Sequence, residues 1–357
     1  MTNFHSPQAM QIGKLSIGAS VRPKIIAEIG INHGGCLDTA KNMCELAAKA
    51  GADIIKTQMH IPDEEMSAAA KSLIPSHCNE SIYEIMENCA LPIDKEYELK
   101  QFIEQLGVEY LCTPFSAEAA HILGKEFRVN SFKIGSGECN NNHVLRAAIS
   151  YGKPLIISTG MNTLESCAKT YDLVTADLGQ TVVLMHTTNI YPTPRELVRL
   201  GGITELQDIA GINYVGLSDH TVNNLACLGA VALGAVLLER HFTDSKDRIG
   251  PDIANSMDFA ELNELRIMSE DMFLMRGGSK EKEIRQEQNT RDFAFATFVA
   301  LNEIQKGDMI TSVNVAPKRP ALGDFFARDL DLIVGKKAIS KIPKDHHILK
   351  SHLHPNF

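Results

Sequence analysis

From residue 24 to about residue 277 the chain repeats one unit: a short apolar run rich in β-branched residues, a polar turn, then apolar positions at helical spacing. The runs fall at 25–31, 53–59, 109–115, 131–135, 154–159, 182–187, 214–218 and 236–241. Helical spacing appears between them, at 39–50, 95–106, 117–123, 164–174 and 225–233. Strands that read as continuous apolar runs are covered on both faces, which predicts a parallel sheet with crossover helices. Eight such units in roughly 250 residues is the size and count of a (β/α)₈ TIM barrel, in the α/β class. A doubly wound open sheet is the competing arrangement, but no Gly-x-Gly-x-x-Gly follows a strand, and Gly135-Ser136-Gly137 lacks the third glycine.

Two breaks interrupt the rhythm. The connection from Met59 to Ile93 is long for a βα loop, and helical spacing at 81–88 predicts a short extra helix within it. The run Gly277-Gly278-Ser279-Lys280-Glu281-Lys282-Glu283 reads as a boundary. Short strand-like pieces follow at 295–299, 310 and 313–315, with a turn at Lys306-Gly307-Asp308. The expected organisation is a barrel over 1–280, a linker over 281–290 and a small β-rich domain over 291–357.

Composition narrows the function classes. The chain is 44% hydrophobic and 22% charged, as in a soluble globular protein. A net charge of −9 argues against nucleic acid as a partner and requires that any anionic substrate be held by local cations. The eight cysteines form no Cys-x-x-Cys pair, and several sit in apolar runs, which reads as buried reduced thiols in a cytoplasmic protein. Residues 1–20 show no apolar segment after a basic start, and no apolar run is long enough to span a bilayer, so no membrane partner is expected. The sequon Asn79-Glu80-Ser81 carries no weight without a secretory signal.

The carboxyl ends of the predicted strands carry the chemistry. In turn they give Glu28 with Asn32-His33, Lys56 with Gln58, Thr113, and Lys133 with Ser136 and Glu138. Ser158-Thr159, Asn189 with Tyr191, Ser218-Asp219-His220 and Glu239-Arg240-His241 complete the circuit. Burying an unpaired polar group costs about 1–3 kcal/mol, so eight polar strand ends imply one shared pocket at the catalytic face of a barrel.

His220 and His241 end the seventh and eighth predicted strands, neighbours about 4.8 Å apart in a closed sheet. They can share one divalent cation with open positions for water and substrate oxygen, or be two satisfied histidines, one of them bonded to Asp219. Lys56 and Lys133 converge on the same mouth and suggest an anion, cradled by Thr113, Ser136, Ser158 and Ser218 and by the Gly135-Ser136-Gly137 backbone. Either lysine could instead form a Schiff base, as in a metal-free aldolase. Glu28 and Glu138 are acid–base candidates or salt-bridge partners of those lysines.

The segments Ile26-Ala27-Glu28-Ile29-Gly30-Ile31-Asn32-His33, Phe132-Lys133-Ile134-Gly135-Ser136-Gly137-Glu138 and Ser158-Thr159-Gly160-Met161 resemble the sialic acid synthases. Thr188-Asn189-Ile190-Tyr191-Pro192, Gly216-Leu217-Ser218-Asp219-His220 and Leu238-Glu239-Arg240-His241-Phe242-Thr243 do too. The tail, including Lys318-Arg319-Pro320, resembles the antifreeze-like (SAF) domain that these synthases carry. The resemblance implies condensation of phosphoenolpyruvate with open-chain N-acetylmannosamine, or with a diacetamido-trideoxy relative. It implies a divalent metal, Mn²⁺ or else Mg²⁺ or Co²⁺, on His220 and His241, and a domain-swapped homodimer. Lys56, Thr113, Lys133, Ser136, Ser158, Asn189 and Ser218 would bind phosphoenolpyruvate. Gln58, Tyr191, Asp252, Phe293 and Arg319 would meet the sugar with Glu28, Arg319 from the partner subunit, and Glu138 would position or activate water. Thr57 and Met59 depart from the family pattern around Gln58, and alternation along a strand should point both away from it.

Overall fold

The computed structural model describes residues 9–354 apart from 75–79, 177, 178, 180, 212, 213, 279, 281 and 282. Cys78, Asn79 of the sequon, residues 1–8 of the amino-terminal stretch and positions 281 and 282 of the expected linker lie outside the described residues. The chain divides into two units, Met1–Gly277 and Gly278–Phe357.

The first unit opens with a hairpin, β1 (Met10–Ile12) against β2 (Leu15–Ile17). Eight parallel strands follow: β3 (Lys24–Gly30), β4 (Ile54–Met59), β5 (Glu109–Pro114), β6 (Phe132–Ile134), β7 (Leu155–Ser158), β8 (Val182–Thr187), β9 (Val215–Asp219) and β10 (Leu237–His241). Their order is β5-β4-β3-β10-β9-β8-β7-β6, and β5 and β6 pack side by side, so the sheet curls into a nearly closed barrel. Each predicted run lands on one of these strands, and the five predicted helices appear at Leu37–Ala50, Ile93–Gln105, Ala117–Ile122, Leu164–Thr175 and Leu225–Ala232. Helices Asn142–Ile149, Gly201–Ala210 and Phe259–Met275 complete the β/α alternation.

Strand alternation sorts the residues into two apolar layers. Ile25, Ala27, Ile29, Ile55, Cys112, Leu184, Leu217 and Leu238 face outward and bury against helix residues such as Met43, Leu99, Ile103 and Leu262. Each such aliphatic side chain contributes about 1.5–3 kcal/mol on burial. The opposite set, Ile26, Ile54, Leu111, Ile156, Val183 and Leu237, forms a separate cluster with Met10, Ile12 and Ile17 of the hairpin. The hairpin therefore plugs the amino-terminal end of the barrel, and the cleft opens only at the other end.

Within the long β4 connection, the expected short helix is Ile82–Cys89. Ser81 caps it: its hydroxyl accepts from the Glu84 amide while Glu84 accepts from the Ser81 amide at 2.9 Å, a reciprocal capping box. Among the described residues no helix is long and apolar enough to cross a membrane.

In the second unit, β11 (Thr297–Ala300) pairs antiparallel with β12 (Val315–Lys318). A small core of Phe298, Ile304, Ile310, Val315, Phe325, Ile333, Ile342 and Ile348 supports them. The stretch read as linker is instead helical over part of its length, with a turn at Arg285–Glu287 running into the helix Gln288–Ala294.

Candidate active site

Each inward strand position steps from apolar to polar toward the open end. β3 passes from Ile26 to Glu28, β4 from Ile54 to Lys56 and Gln58, β5 from Leu111 to Thr113 and β7 from Ile156 to Ser158. β10 passes from Leu237 through Glu239 to His241, and register places His241 beside Glu28 and Glu28 beside Lys56. One cleft is thus lined by Glu28, Lys56, Gln58, Thr113, Phe115, Lys133, Ser136, Glu138, Ser158, Thr187, Asn189, Tyr191, Ser218, His220, Glu239 and His241.

At its floor lies a compact charge lattice. Lys56 Nζ is 3.0 Å from Glu28 Oε1, 3.5 Å from Glu239 Oε1 and 3.3 Å from Thr113 Oγ1. Lys133 Nζ is 2.6 Å from Ser158 Oγ and 3.4 Å from the same Glu239 oxygen, which also accepts from Ser218 Oγ at 3.0 Å. All four charged groups are buried. Burial pushes the Lys133 ammonium down to about 8, only partly opposed by Glu239. Burial would lower Lys56 too, but Glu239 and Glu28 hold it above its ordinary value. Burial raises the Glu28 carboxyl to about 7, with Lys56 opposing. Glu239 is driven the other way: against burial, Lys133 and Lys56 hold it well below the usual carboxylate range. Glu239 is the residue that sequence reasoning missed. It appeared only as one polar strand end among eight, although it sits one inward step below His241 and, among the described residues, alone pairs with both lysines.

Local backbone makes room for these groups. Gly30 follows an irregularity in the β3–β4 register and has φ +49°, and a Cβ there would lie 3.1 Å from Glu28 Oε1 and 3.2 Å from Gln58 Nε2. Gly160 donates its N–H to Ser136 Oγ at 3.1 Å, and a Cβ there would come within 1.7 Å of Asn189 Oδ1.

The two imidazoles meet. The ring centroids of His220 and His241 are 5.5 Å apart, and Tyr191 lies 4.1 Å from His220 and edge-on to His241 at 6.1 Å. His220 Nδ1 bonds the Thr188 carbonyl at 2.8 Å, which assigns its hydrogen to Nδ1 and leaves Nε2 with a free lone pair. The alternative weighed for these histidines, a bond to Asp219, is not made. Asp219 points to the outer side and accepts from Thr221, 3.6 Å from Arg240 Nε. Burial lowers His220 to about 4, with His241 adding to the effect, and burial lowers His241 to about 3, helped by Lys56. Both rings are therefore neutral near pH 7, the form that ligates.

Several buried polar atoms at the cleft lack a hydrogen-bond partner: Glu28 Oε2, Glu239 Oε2, Asn189 Oδ1 and His241 Nδ1. Among the described residues no group of three or more His, Cys, Asp or Glu side chains converges on one point. An ion here would take two protein nitrogens and complete its shell with water and substrate oxygens, a donor set that fits a divalent cation acting as a Lewis acid.

Other expected site residues fall as follows. Gln58 Nε2 donates to Glu28 Oε1 at 2.6 Å, and its neighbours do point away: Thr57 bonds Glu96 and Tyr110 on the outer side, and Met59 joins the outer apolar layer. Asp252 Oδ2 lies 3.6 Å from His241 Nδ1, its carboxyl raised by burial. Glu138 lines the cleft and is likewise raised by burial. Phe293, on the helix Gln288–Ala294, and Arg319, after β12, belong to the second unit and are exposed. Of the cysteines, Cys44, Cys112, Cys139, Cys167 and Cys227 are buried free thiols, whereas Cys36 is exposed and Cys89 half-buried.

Known proteins resemble this chain over most of its length. An N,N'-diacetyllegionaminic acid synthase of Campylobacter jejuni is 32% identical, the match covering 91% of this chain and 98% of the relative. A pseudaminic acid synthase of the same organism is also 32% identical, over 93% of this chain and 96% of its own length. The crystal structure of an N-acetylneuraminic acid (sialic acid) synthetase from Leptospira borgpetersenii, in complex with citrate, superposes with a TM-score of 0.72 at 26% identity, covering 79% of this chain and 95% of that one. Residues 43–281 match the NeuB family and residues 296–354 match the SAF domain. The family match takes in β4 to β10, which carry both lysines, the lattice carboxylate Glu239 and both imidazoles, and the chain belongs to the NeuB family, with a SAF domain at its carboxyl-terminal end.

Proposed function

We propose that this chain condenses phosphoenolpyruvate with open-chain N-acetylmannosamine to give N-acetylneuraminate and phosphate. The observation that carries the reading is the convergence of two buried ammonium groups and two neutral imidazoles in one cleft. Lys56, Lys133 and the hydroxyls of Thr113, Ser136, Ser158 and Ser218, with Asn189, hold the phosphate and carboxylate of phosphoenolpyruvate. His220 and His241 would hold a divalent ion, most simply Mn²⁺, which would supply Lewis-acid chemistry toward the sugar's carbonyl.

The cleft holds the methylene carbon of phosphoenolpyruvate against the aldehyde carbon, which removes the entropic barrier of a bimolecular encounter. Glu28, its carboxyl raised to about 7 by burial, holds a proton that it can pass to the aldehyde oxygen as the carbon–carbon bond forms. Glu138 takes a proton from the water that adds to the former enol carbon, and phosphate leaves by C–O cleavage while the lysines compensate its charge. Gln58, Tyr191 and Asp252 meet the sugar. Phe293 and Arg319 are assigned to it by family resemblance, Arg319 from the partner subunit of a domain-swapped homodimer.

A diacetamido-trideoxy hexose as acceptor is the second reading, favoured by the two Campylobacter jejuni relatives. The test is phosphate release from phosphoenolpyruvate across a panel of acceptor sugars with Mn²⁺ present. Turnover with N-acetylmannosamine well above that with diacetamido sugars supports the first reading, and the reverse order supports the second. Full turnover without metal, with a borohydride-trapped adduct on Lys133 or Lys56, would replace both with Schiff-base chemistry.

A further inference from the structure

We infer that His60 and Glu65 are positioning residues that fix the orientation of the Gln58 side-chain amide, and with it the way the acceptor sugar is read. The inference rests on the proposed function for its substrate and on geometry for its residues. His60 continues the inward series Lys56, Gln58 just past the end of β4, because side chains two apart share a face. Its Nε2 is 2.9 Å from Gln58 Oε1, and its Nδ1 is 2.9 and 3.1 Å from the two carboxylate oxygens of Glu65. The ring stacks on Phe115 with centroids 4.2 Å apart and planes 19° from parallel. The side chains of His60 and Glu65 are only 4% and 5% exposed, so this is a built contact and not a surface pairing.

Donor and acceptor accounting gives the pair its role. An amide can sit either way round with almost the same shape, so only its partners decide which end faces where. Glu28 Oε1 accepts from the donor-only ammonium of Lys56 at 3.0 Å, so Gln58 presents its NH₂ to Glu28 and its oxygen to His60. Glu65 offers only acceptors while ionised and claims the Nδ1 hydrogen of His60. With the Gln58 oxygen turned toward it at 2.9 Å, His60 Nε2 is the donor of that contact. A flipped Gln58 would bring its NH₂ against that N–H, donor to donor. The imidazole ring, bonded to Glu65 and stacked on Phe115, therefore holds the Gln58 oxygen on its own side. The NH₂ faces Glu28 at 2.6 Å, with its second hydrogen left for a substrate oxygen. Glu65 closes the turn Pro62–Glu65 at the start of the long β4 connection, so the same ion pair moors that connection to the cleft.

Steady-state kinetics and amide exchange on His60→Leu, His60→Gln and Glu65→Gln test this. His60→Leu is expected to raise the KM for the acceptor sugar about tenfold or more, the effect of losing one oriented hydrogen bond, with the KM for phosphoenolpyruvate changed less than about twofold. His60→Gln, whose NH₂ can still donate to Gln58 Oε1, should recover most of that loss. Glu65→Gln keeps the shape, removes the charge, and should show the same split at smaller size; it carries the test if His60→Leu fails to fold. Independently of turnover, the Gln58 side-chain amide hydrogens, assigned by NMR through their loss in Gln58→Ala, should exchange slowly in the unaltered protein and faster in His60→Leu. Equal rises in both KM values, no rescue by His60→Gln, or unchanged exchange would overturn the assignment. If the unaltered enzyme turns over no amino sugar, the functional reading fails while the exchange measurement still decides the positioning claim.

Discussion

Glu239→Gln asks whether the charge lattice is what keeps two ammonium groups in the barrel. Glu239 Oε1 lies 3.5 Å from Lys56 Nζ and 3.4 Å from Lys133 Nζ. Each contact is worth about 5 kcal/mol gross at an effective dielectric constant of about 20. The variant regains part of this, because a buried carboxylate no longer has to be stripped of water. Removing one partner of a buried pair has a net cost of about 3–5 kcal/mol. The loss falls unevenly. Lys56 keeps Glu28 at 3.0 Å, whereas Lys133 is left with the neutral hydroxyl of Ser158 at 2.6 Å.

Lys133 already titrates near 8, below its ordinary 10.5, because burial disfavours the ammonium. Between those two values the unfolded chain binds more protons than the folded one, so this group makes stability climb with pH. Loss of Glu239 lowers Lys133 further and extends the window downward. Urea unfolding followed by circular dichroism should therefore show a loss of about 3–5 kcal/mol near pH 6.5 and a smaller one near pH 9. Removing the stranded cation as well, in Glu239→Gln/Lys133→Met, should return more than half of the loss. A single variant within about 1 kcal/mol of the unaltered protein, or a difference that ignores pH, refutes the reasoning.

Further outcomes follow from other parts of the cleft. Chelation should abolish phosphate release and Mn²⁺ should restore it, while His220→Ala loses metal affinity measured by calorimetry and keeps its circular dichroism spectrum. Gly160→Ala places a methyl within 1.7 Å of Asn189 Oδ1 and should raise the KM for phosphoenolpyruvate about tenfold by displacing that side chain. In metal-free protein the unfolding free energy should fall as pH drops from about 6.5 toward 4. Folded His220 and His241 stay neutral down to about 4 and about 3, while the unfolded chain takes up protons near 6.5. Replacing both histidines with Gln should flatten that slope.

The barrel was legible because its strands obey one rule twice over. Positions of one parity are mostly apolar, Thr57 and Asp219 apart, and positions of the other turn polar only near the carboxyl end, so Ile54-Ile55-Lys56-Thr57-Gln58 already separates helix-facing from cleft-facing side chains. The same parity excludes the alternative of a His220–Asp219 bond: Asp219 adjoins His220 in sequence but sits on the opposite face, where Thr221 and Arg240 engage it. Glu239 was harder to read, since an acid two positions before a histidine is unremarkable until the sheet closes and brings β4 and β6 to it. His60 and Glu65 lie past a strand end, in a connection whose path no periodicity describes. The hairpin Met10–Ile12 and Leu15–Ile17 is too short to announce itself by pattern. Phe293 and Arg319 carry no local signal at all and entered through resemblance.

A barrel stoppered by Met10, Ile12 and Ile17 is a well with one mouth. The ammonium layer lies below the imidazole layer, since Glu239 precedes His241 by one inward step on β10. Whatever anion settles on Lys56 and Lys133 has to descend before a second reactant covers it. In the proposed reaction the liberated phosphate, with the described residues offering no rear exit, waits until the larger product has climbed out. Architecture alone thus imposes a queue on arrivals and departures, first in and last out.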